Sequence, residues 1–396
     1  MAFKLTDKVT WVGKIDWELR TFHGEEYSTH RGSSYNSYLI RDEKTVLIDT
    51  VWDPYAEEFV ENLKKEIDLN EIDYIIAQHG ESDHSGALPL LMREIPDTPI
   101  YCTSNGAKVL RGHYHEDWNF VEVKTGDTLN IGESTLTFVE ARMLHWPDSM
   151  MTYMSGDNIL FSNDAFGQHY ASELMYNDLV DQAELYQECI KYYANILTPF
   201  SPLVTKKIEE VLSFNLPLNM IATSHGIIWR DNPAQIVEQY LKWADDYQEN
   251  QITIVYDTMW NCTRHMAEAI AEGIKSVDKD ATVKLFNAGK TDKNNIITEL
   301  FKSKAILFGS STVNKSIMHA TAGILSMIRG IGFKNKKGAA FGSYGWSGES
   351  IGMLEEELKA AKIEVVQEGI KALWDPDEEA KKQCFEFGKA FAEKIK

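Results

Sequence analysis

The sequence predicts an α/β protein of two domains. A regular alternation of short apolar strands and helical stretches fills the last third of the chain, while short alternating strands open the first half. Between the two patterns lies the polar run 245–251, where the boundary is expected, giving domains of 1–250 and 251–396.

In the first domain, Ser37-Tyr38-Leu39-Ile40 and Thr45-Val46-Leu47-Ile48 flank a polar turn, and a helix is expected near 54–66. Mixed sheets with helices outside follow from that pattern. In the second domain strands are expected at 252–256, 282–286, 305–309, 338–342 and 363–367. Helices are expected between and after them at 263–275, 293–302, 317–329, 350–361 and 377–394. Strands joined by crossover helices predict a parallel, doubly wound sheet.

Composition removes several function classes. Forty Lys and Arg against sixty Asp and Glu in 396 residues leave a formal charge of −20, which repels nucleic acid. No segment reaches the ~20 apolar residues of a membrane span, and Met1–Asp7 does not open a signal peptide, so a cytoplasmic enzyme is expected. Cys102, Cys189, Cys262 and Cys384 form no C-x-x-C pair, which argues against a disulfide scaffold or a Cys-ligated metal within the chain.

The sharpest local signal is Gln78-His79-Gly80-Glu81-Ser82-Asp83-His84 after the apolar strand Tyr74-Ile75-Ile76. A lone histidine after a strand is usually a surface residue, but the pattern recurs. His145 follows strand 136–139, Asp164 follows 159–161 and His225 follows 220–223, so strand exits on one sheet edge are expected to converge. One metal can take His79 and Glu81, a second Asp83 and His84. Four His, two Asp and one Glu without Cys suit two cations such as Fe, Mn or Zn, with Asp164 as the candidate bridging carboxylate.

The spacing His79-x-Glu81-x-Asp83-His84, with His145, Asp164 and His225, resembles the metallo-β-lactamase superfamily, and Glu81 in a position usually held by His resembles its flavodiiron branch. Leu144–Met150, Asn163–His169, Tyr192–Ile196 and Ser224–Trp229 match the same branch. The resemblance implies an N-terminal metallo-β-lactamase-like αββα sandwich with a carboxylate-bridged, non-haem diiron centre. His79, Glu81 and His145 would hold one iron, Asp83, His84 and His225 the other, with Asp164 between them. His23, Tyr192 and Tyr193 are expected near a bound diatomic.

A second constellation lies in the later domain. Thr258-Met259-Trp260-Asn261-Cys262-Thr263 joins a strand to a helix, where backbone N–H groups and the helix dipole favour a phosphate. Without G-x-x-x-x-G-K-[ST] or G-x-G-x-x-G, a terminal monophosphate fits better than ATP or NAD. Ser310-Ser311-Thr312-Val313-Asn314 and Ser343-Tyr344-Gly345-Trp346-Ser347-Gly348 occupy two further strand exits. Trp260, Tyr344 and Trp346 supply planar faces for an isoalloxazine. This half resembles flavodoxin, which implies FMN.

Flavin and diiron centre together imply electron transfer, and the expected function is reduction of O2 to water, of NO to N2O, or both. The chain offers no pyridine-nucleotide motif, so an external donor is expected, by resemblance a rubredoxin. The resemblance also implies a head-to-tail homodimer or a tetramer built from it. The alternatives are a zinc-dependent hydrolase of the metallo-β-lactamase superfamily, which leaves the flavin domain without a task, and an electron carrier, which leaves seven ligand-type residues without one.

Overall fold

Alternating apolar residues in the first part of the chain build two facing sheets. In the computed structural model, which describes residues 2–396, one sheet orders its strands Phe3–Lys4, Val9–Trp11, Tyr38–Arg41, Thr45–Ile48, Tyr74–Ile76, Ile100–Thr103 and Phe120–Val123. Pairing is antiparallel as far as Thr45–Ile48 and parallel beyond it. The second sheet orders Thr128–Asn130, Thr135–Glu140, Met150–Met154, Ile159–Asn163 and Met220–Thr223, with only its last pair parallel.

The inner faces interlock through Tyr38, Ile40, Val46, Ile48 and Ile76 from the first sheet and Phe138, Met154, Phe161 and Ala222 from the second. Period-two alternation places these residues inside. Helices lie on the outer faces. Ala56–Glu66 shows why: its apolar positions Ala56, Phe59, Val60 and Leu63 are spaced by three and four residues and all are buried. The hairpin strands and this helix occupy the expected segments, within about two residues at each end.

In the second unit the parallel sheet orders Thr282–Asn287, Glu249–Asp257, Ser303–Ser311 and Lys337–Tyr344, then Glu364–Val365. Ile370–Leu373 also pairs parallel to Lys337–Tyr344. The strand expected at 363–367 is thus two short strands, because Gln367-Glu368-Gly369 interrupts the apolar run. Helices Cys262–Val277 and Glu378–Lys394 cover one face, and Lys293–Lys302, His319–Ile331 and Glu349–Ala360 pack against the same strands. The first pair of helices crosses closely through two glycines. A Cβ on Gly273 would stand 2.0 Å from the Phe385 carbonyl, and one on Gly388 2.1 Å from that of Ile270.

The chain divides into two compact units, Met1–Tyr192 with Phe200–Leu241, and Tyr193–Pro199 with Lys242–Lys396. The polar run 245–251 is not a free linker, since Glu249–Gln251 already belong to strand Glu249–Asp257. Among the described residues no helix is long and apolar enough to cross a membrane.

Candidate metal centre and flavin site

Strand Tyr74–Ile76 delivers the chain to His79 and Glu81, and the single turn Ser82–Ser85 carries Asp83 and His84. His145 sits in the turn between Thr135–Glu140 and Met150–Met154, while Asp164 and His225 follow the parallel neighbours Ile159–Asn163 and Met220–Thr223. These side chains converge from strands of both sheets, which corrects the expectation of a single sheet edge. Facing sheets bring their strand ends to a common rim, and that pairing is invisible in the chain order.

Two clusters result, His79, Glu81, His145 and Asp164 in one and Asp83, His84 and His225 in the other. Asp164 stands between them. Its Oδ2 lies 3.3 Å from His145 Nε2 and 3.8 Å from His79 Nε2, while its Oδ1 lies 3.0 Å from His84 Nε2 and 3.5 Å from His225 Nε2. Glu81 Oε2 completes the first cluster at 3.2 Å from His79 Nε2, and Asp83 Oδ2 the second at 3.0 Å from His225 Nε2.

Both carboxylate oxygens of Asp83 and of Asp164, and both ring nitrogens of His84, are buried and, beyond the ligand-type groups of the two clusters, have no hydrogen-bond partner. Buried ionisable groups are seldom left so. Oxygen and imidazole donors converging at two points fit a pair of cations, and they fit iron or zinc by donor type.

Groups behind the clusters aim the rings. His79 Nδ1 is 3.0 Å from Asp148 Oδ2, which also accepts from the Gly80 N–H at 2.7 Å. His225 Nδ1 is 2.7 Å from the Ser34 carbonyl. Each contact leaves Nε2 directed into its cluster. Gly226, next to His225, has φ +67°, and a Cβ there would stand 1.8 Å from Gln168 Oε1. Only glycine suits both demands.

The electrostatics favour cations. Burial opposes a charge on His84, yet Asp83 and Asp164 push its pKa up to about 10. Burial likewise opposes a charge on His79, and Asp148 and Glu81 hold its pKa well above the usual imidazole range. Burial works to raise Asp164, and His84 and His145 overcome it and hold the carboxyl well below the carboxylate range. Asp164 is therefore charged, and an entering cation displaces the protons of His79 and His84.

His23 Nε2 lies 3.2 Å from Glu81 Oε1 at the rim. Tyr192 is buried with its ring 5.5 Å from that of His169. Tyr193 falls elsewhere: its ring packs on Trp243 at 5.5 Å and Phe301 at 5.8 Å within the second unit, where the helix Gln182–Tyr192 gives way to a π-turn at Tyr193–Leu197. Asp148, Ser34 and His169 were missed. Asp148 and His169 stand in segments whose signal was visible, whereas Ser34 acts through its carbonyl, which no residue type announces.

The flavin-type loops meet at the carboxyl ends of the parallel strands. Asn261, at φ +69°, caps the helix Cys262–Val277 without a side-chain hydrogen bond, leaving first-turn N–H groups for an anion. Thr258 Oγ1 beside it is buried and unpartnered, which suits a phosphate oxygen. Thr263 Oγ1 ties the loops together, 3.0 Å from Ser311 Oγ and 2.8 Å from Ser343 Oγ.

Met259, Trp260 and Trp346 project into solvent, the two indoles 83% and 89% exposed. Trp374, 67% exposed after strand Ile370–Leu373, joins these strand-exit aromatics and was missed because that strand was misplaced. Not every expected residue faces outward. Ser310 Oγ accepts from the Met318 N–H at 2.9 Å, Thr312 Oγ1 pairs with Ser350 Oγ at 2.7 Å, and the Val313 N–H donates to the Ser316 carbonyl. Asn314 turns at φ +50°, Gly348 precedes helix Glu349–Ala360, and Cys262 opens its helix half-buried.

Comparison with known proteins matches both parts of the chain. Residues 34–226 match the family model described as ODP family beta lactamase, and residues 254–388 match flavodoxin. The anaerobic nitric oxide reductase flavorubredoxin of Salmonella typhi is 58% identical over 394 residues, covering 99% of this chain and 82% of that relative. Among solved structures, rubredoxin oxygen:oxidoreductase from Desulfovibrio gigas superposes with a TM-score of 0.95 at 37% identity, covering 100% of this chain and 98% of that one. The flavodiiron protein of Giardia intestinalis gives 0.94 at 32% identity, covering 100% and 97%. With identities of this size along both units, the chain belongs to the flavodiiron protein family.

Proposed function

We propose that this protein is an oxidoreductase that passes electrons through FMN to a non-haem diiron centre and reduces NO to N2O, O2 to water, or both. The observation that carries it is Asp164, whose two buried oxygens each face one His-carboxylate cluster and have no partner outside the clusters, in a chain that also contains a flavodoxin unit. His79, Glu81 and His145 would hold one iron and Asp83, His84 and His225 the other, with Asp164 bridging. Thr258–Thr263, Ser310–Asn314 and Ser343–Gly348 would hold FMN. In this reading 1–250 is the diiron domain and 251–396 the FMN domain.

Bound, the flavin and the two irons together supply the four electrons that convert O2 and four protons to two waters, or the two that convert two NO and two protons to N2O and water. The protein's own residues make the site able to use them. Asp148 and the Ser34 carbonyl hold His79 and His225 in the tautomer that presents Nε2. Phe22 flanks His23 and His225 at 4.5 and 5.9 Å and keeps water from that side of the clusters. The three flavin loops, bonded through Thr263, would hold the phosphate of FMN, and the exposed indoles of Trp260 and Trp346 would be available to its ring.

A rubredoxin-type donor, suggested by the names of both the curated and the structural relatives, delivers the electrons. A head-to-tail homodimer, or a tetramer of two, sets one subunit's flavin against its partner's irons, and the protein works in the cytoplasm. A zinc-dependent hydrolase is not favoured, since both units match a reductase.

The test is metal and flavin analysis of anaerobically purified protein, then photoreduction and separate exposure to O2 and NO. About two irons and one FMN per chain, with flavin reoxidation by either gas, is the expected result. Zinc with no flavin would refute the proposal.

A further inference from the structure

His169 is a buried imidazole without a task in the metal clusters. It is 1% exposed, and its ring is caged by those of His225 at 4.9 Å, Phe22 at 5.0 Å, Tyr27 at 5.1 Å and Tyr192 at 5.5 Å. Nδ1 lies 2.8 Å from Ser33 Oγ, and Nε2 has no partner. The Ser33 hydroxyl has one other acceptor nearby, the Ser34 carbonyl, at the long distance of 3.4 Å. The hydroxyl hydrogen therefore belongs on the short contact to Nδ1, which places the ring hydrogen on Nε2.

Buried polar atoms are seldom left unpaired, so the donor on Nε2 calls for an acceptor that arrives with a ligand. The cage limits what that ligand is. Three of the four rings around it are those of Phe22, Tyr27 and Tyr192, each tilted against the imidazole. The fourth wall is His225, whose Nε2 belongs to the cluster with Asp83 and His84. A diatomic with one oxygen end needs a single donor and tolerates aromatic walls.

We propose that His169 Nε2–H is the hydrogen-bond donor to the oxygen of the diatomic bound beside the Asp83, His84 and His225 cluster. It binds the gas weakly at first and more strongly as negative charge grows on that oxygen during reduction. This inference rests on the reductase reading above.

Two experiments test it. In metal-free protein labelled with 15N-histidine, long-range 1H–15N correlations should show His169 as the Nε2–H tautomer, and the Nδ1–H tautomer would overturn the proposal. In reduced, iron-loaded protein the N–O stretch of bound NO is then compared between wild type, His169→Phe and His169→Gln, with iron and FMN measured in each. Wild type should show a band that shifts in D2O. His169→Phe should keep iron and FMN, move the band, abolish the D2O shift and lower kcat about 100-fold, while His169→Gln, which retains an N–H, should recover part of each.

An unchanged band and rate in His169→Phe would overturn the assignment. If that variant loses iron, His169→Gln decides: a D2O-sensitive band supports the donor, and an insensitive one rejects it. Wild-type protein that carries no iron or gives no NO band contradicts the reductase reading itself and is thereby told apart from failure of the donor alone.

Discussion

Asp164→Asn tests the metal centre most directly, because one carboxylate serves both clusters. Its Oδ1 stands 3.0 Å from His84 Nε2 and its Oδ2 3.3 Å from His145 Nε2. Asparagine keeps the size but replaces one oxygen by an NH2 group, whose hydrogens repel a cation. Whichever way the amide turns, one cluster keeps an oxygen and the other faces a donor. Glu81, Asp83 and Asp164 carry the negative charge of the clusters, so the change also removes a third of it.

Breaking one partner of a buried charge pair costs about 3–5 kcal/mol, which at about 1.4 kcal/mol per tenfold is roughly 10²- to 10⁴-fold in affinity for one of the two ions. Iron analysis should fall from about two to about one per chain, chelator competition should show one weakened site, and gas turnover should drop at least about 100-fold. FMN absorbance should not change, since the flavin loops belong to the other unit. Two irons held at wild-type affinity with wild-type turnover would refute the bridging role.

Asp148→Asn should weaken iron at the first cluster about 10- to 100-fold, because His79 loses the carboxylate that orients it; chelator competition measures this, with FMN content as the control. In metal-free protein His84 has a folded pKa of about 10, above its unfolded value near 6.5. Its stabilising contribution is therefore complete below pH 6.5 and lost as pH rises toward 10, so the melting temperature of chelator-treated protein should fall over that window. Iron affinity should rise over the same window as displaced protons become easier to lose; a melting temperature that climbs instead would contradict the imidazole–carboxylate pairing. Trp260→Ala and Trp346→Ala, at 83% and 89% exposed indoles, should leave stability within about 0.5 kcal/mol. Each should weaken FMN by about 0.5–1.5 kcal/mol, read by flavin fluorescence titration.

Much of this molecule is written locally. Strands such as Thr45–Ile48 and Met220–Thr223 lie where alternation and apolar runs put them, and helix Lys293–Lys302 begins and ends where its pattern does. The ligand-type residues His79, Glu81, Asp83, His84, His145, Asp164 and His225 were legible because charged and imidazole side chains at strand exits are conspicuous against apolar runs. The three strand-exit loops of the second unit were legible for the same reason, since a parallel sheet presents all its carboxyl ends along one edge.

Other features depend on which segments meet. Sheet pairing set candidate ligands from two sheets rather than one around Asp164, and Tyr193, one residue after Tyr192, falls in the second unit. Asp148 orients His79 from 69 positions away, and Ser34 orients His225 from 191 positions away through a backbone oxygen. Residue type and spacing thus determined the chemistry available to this protein, because both are properties of the chain itself. Where each donor points, and which buried atoms stay unpaired until a ligand comes, was decided by packing between distant segments, which no local pattern encodes.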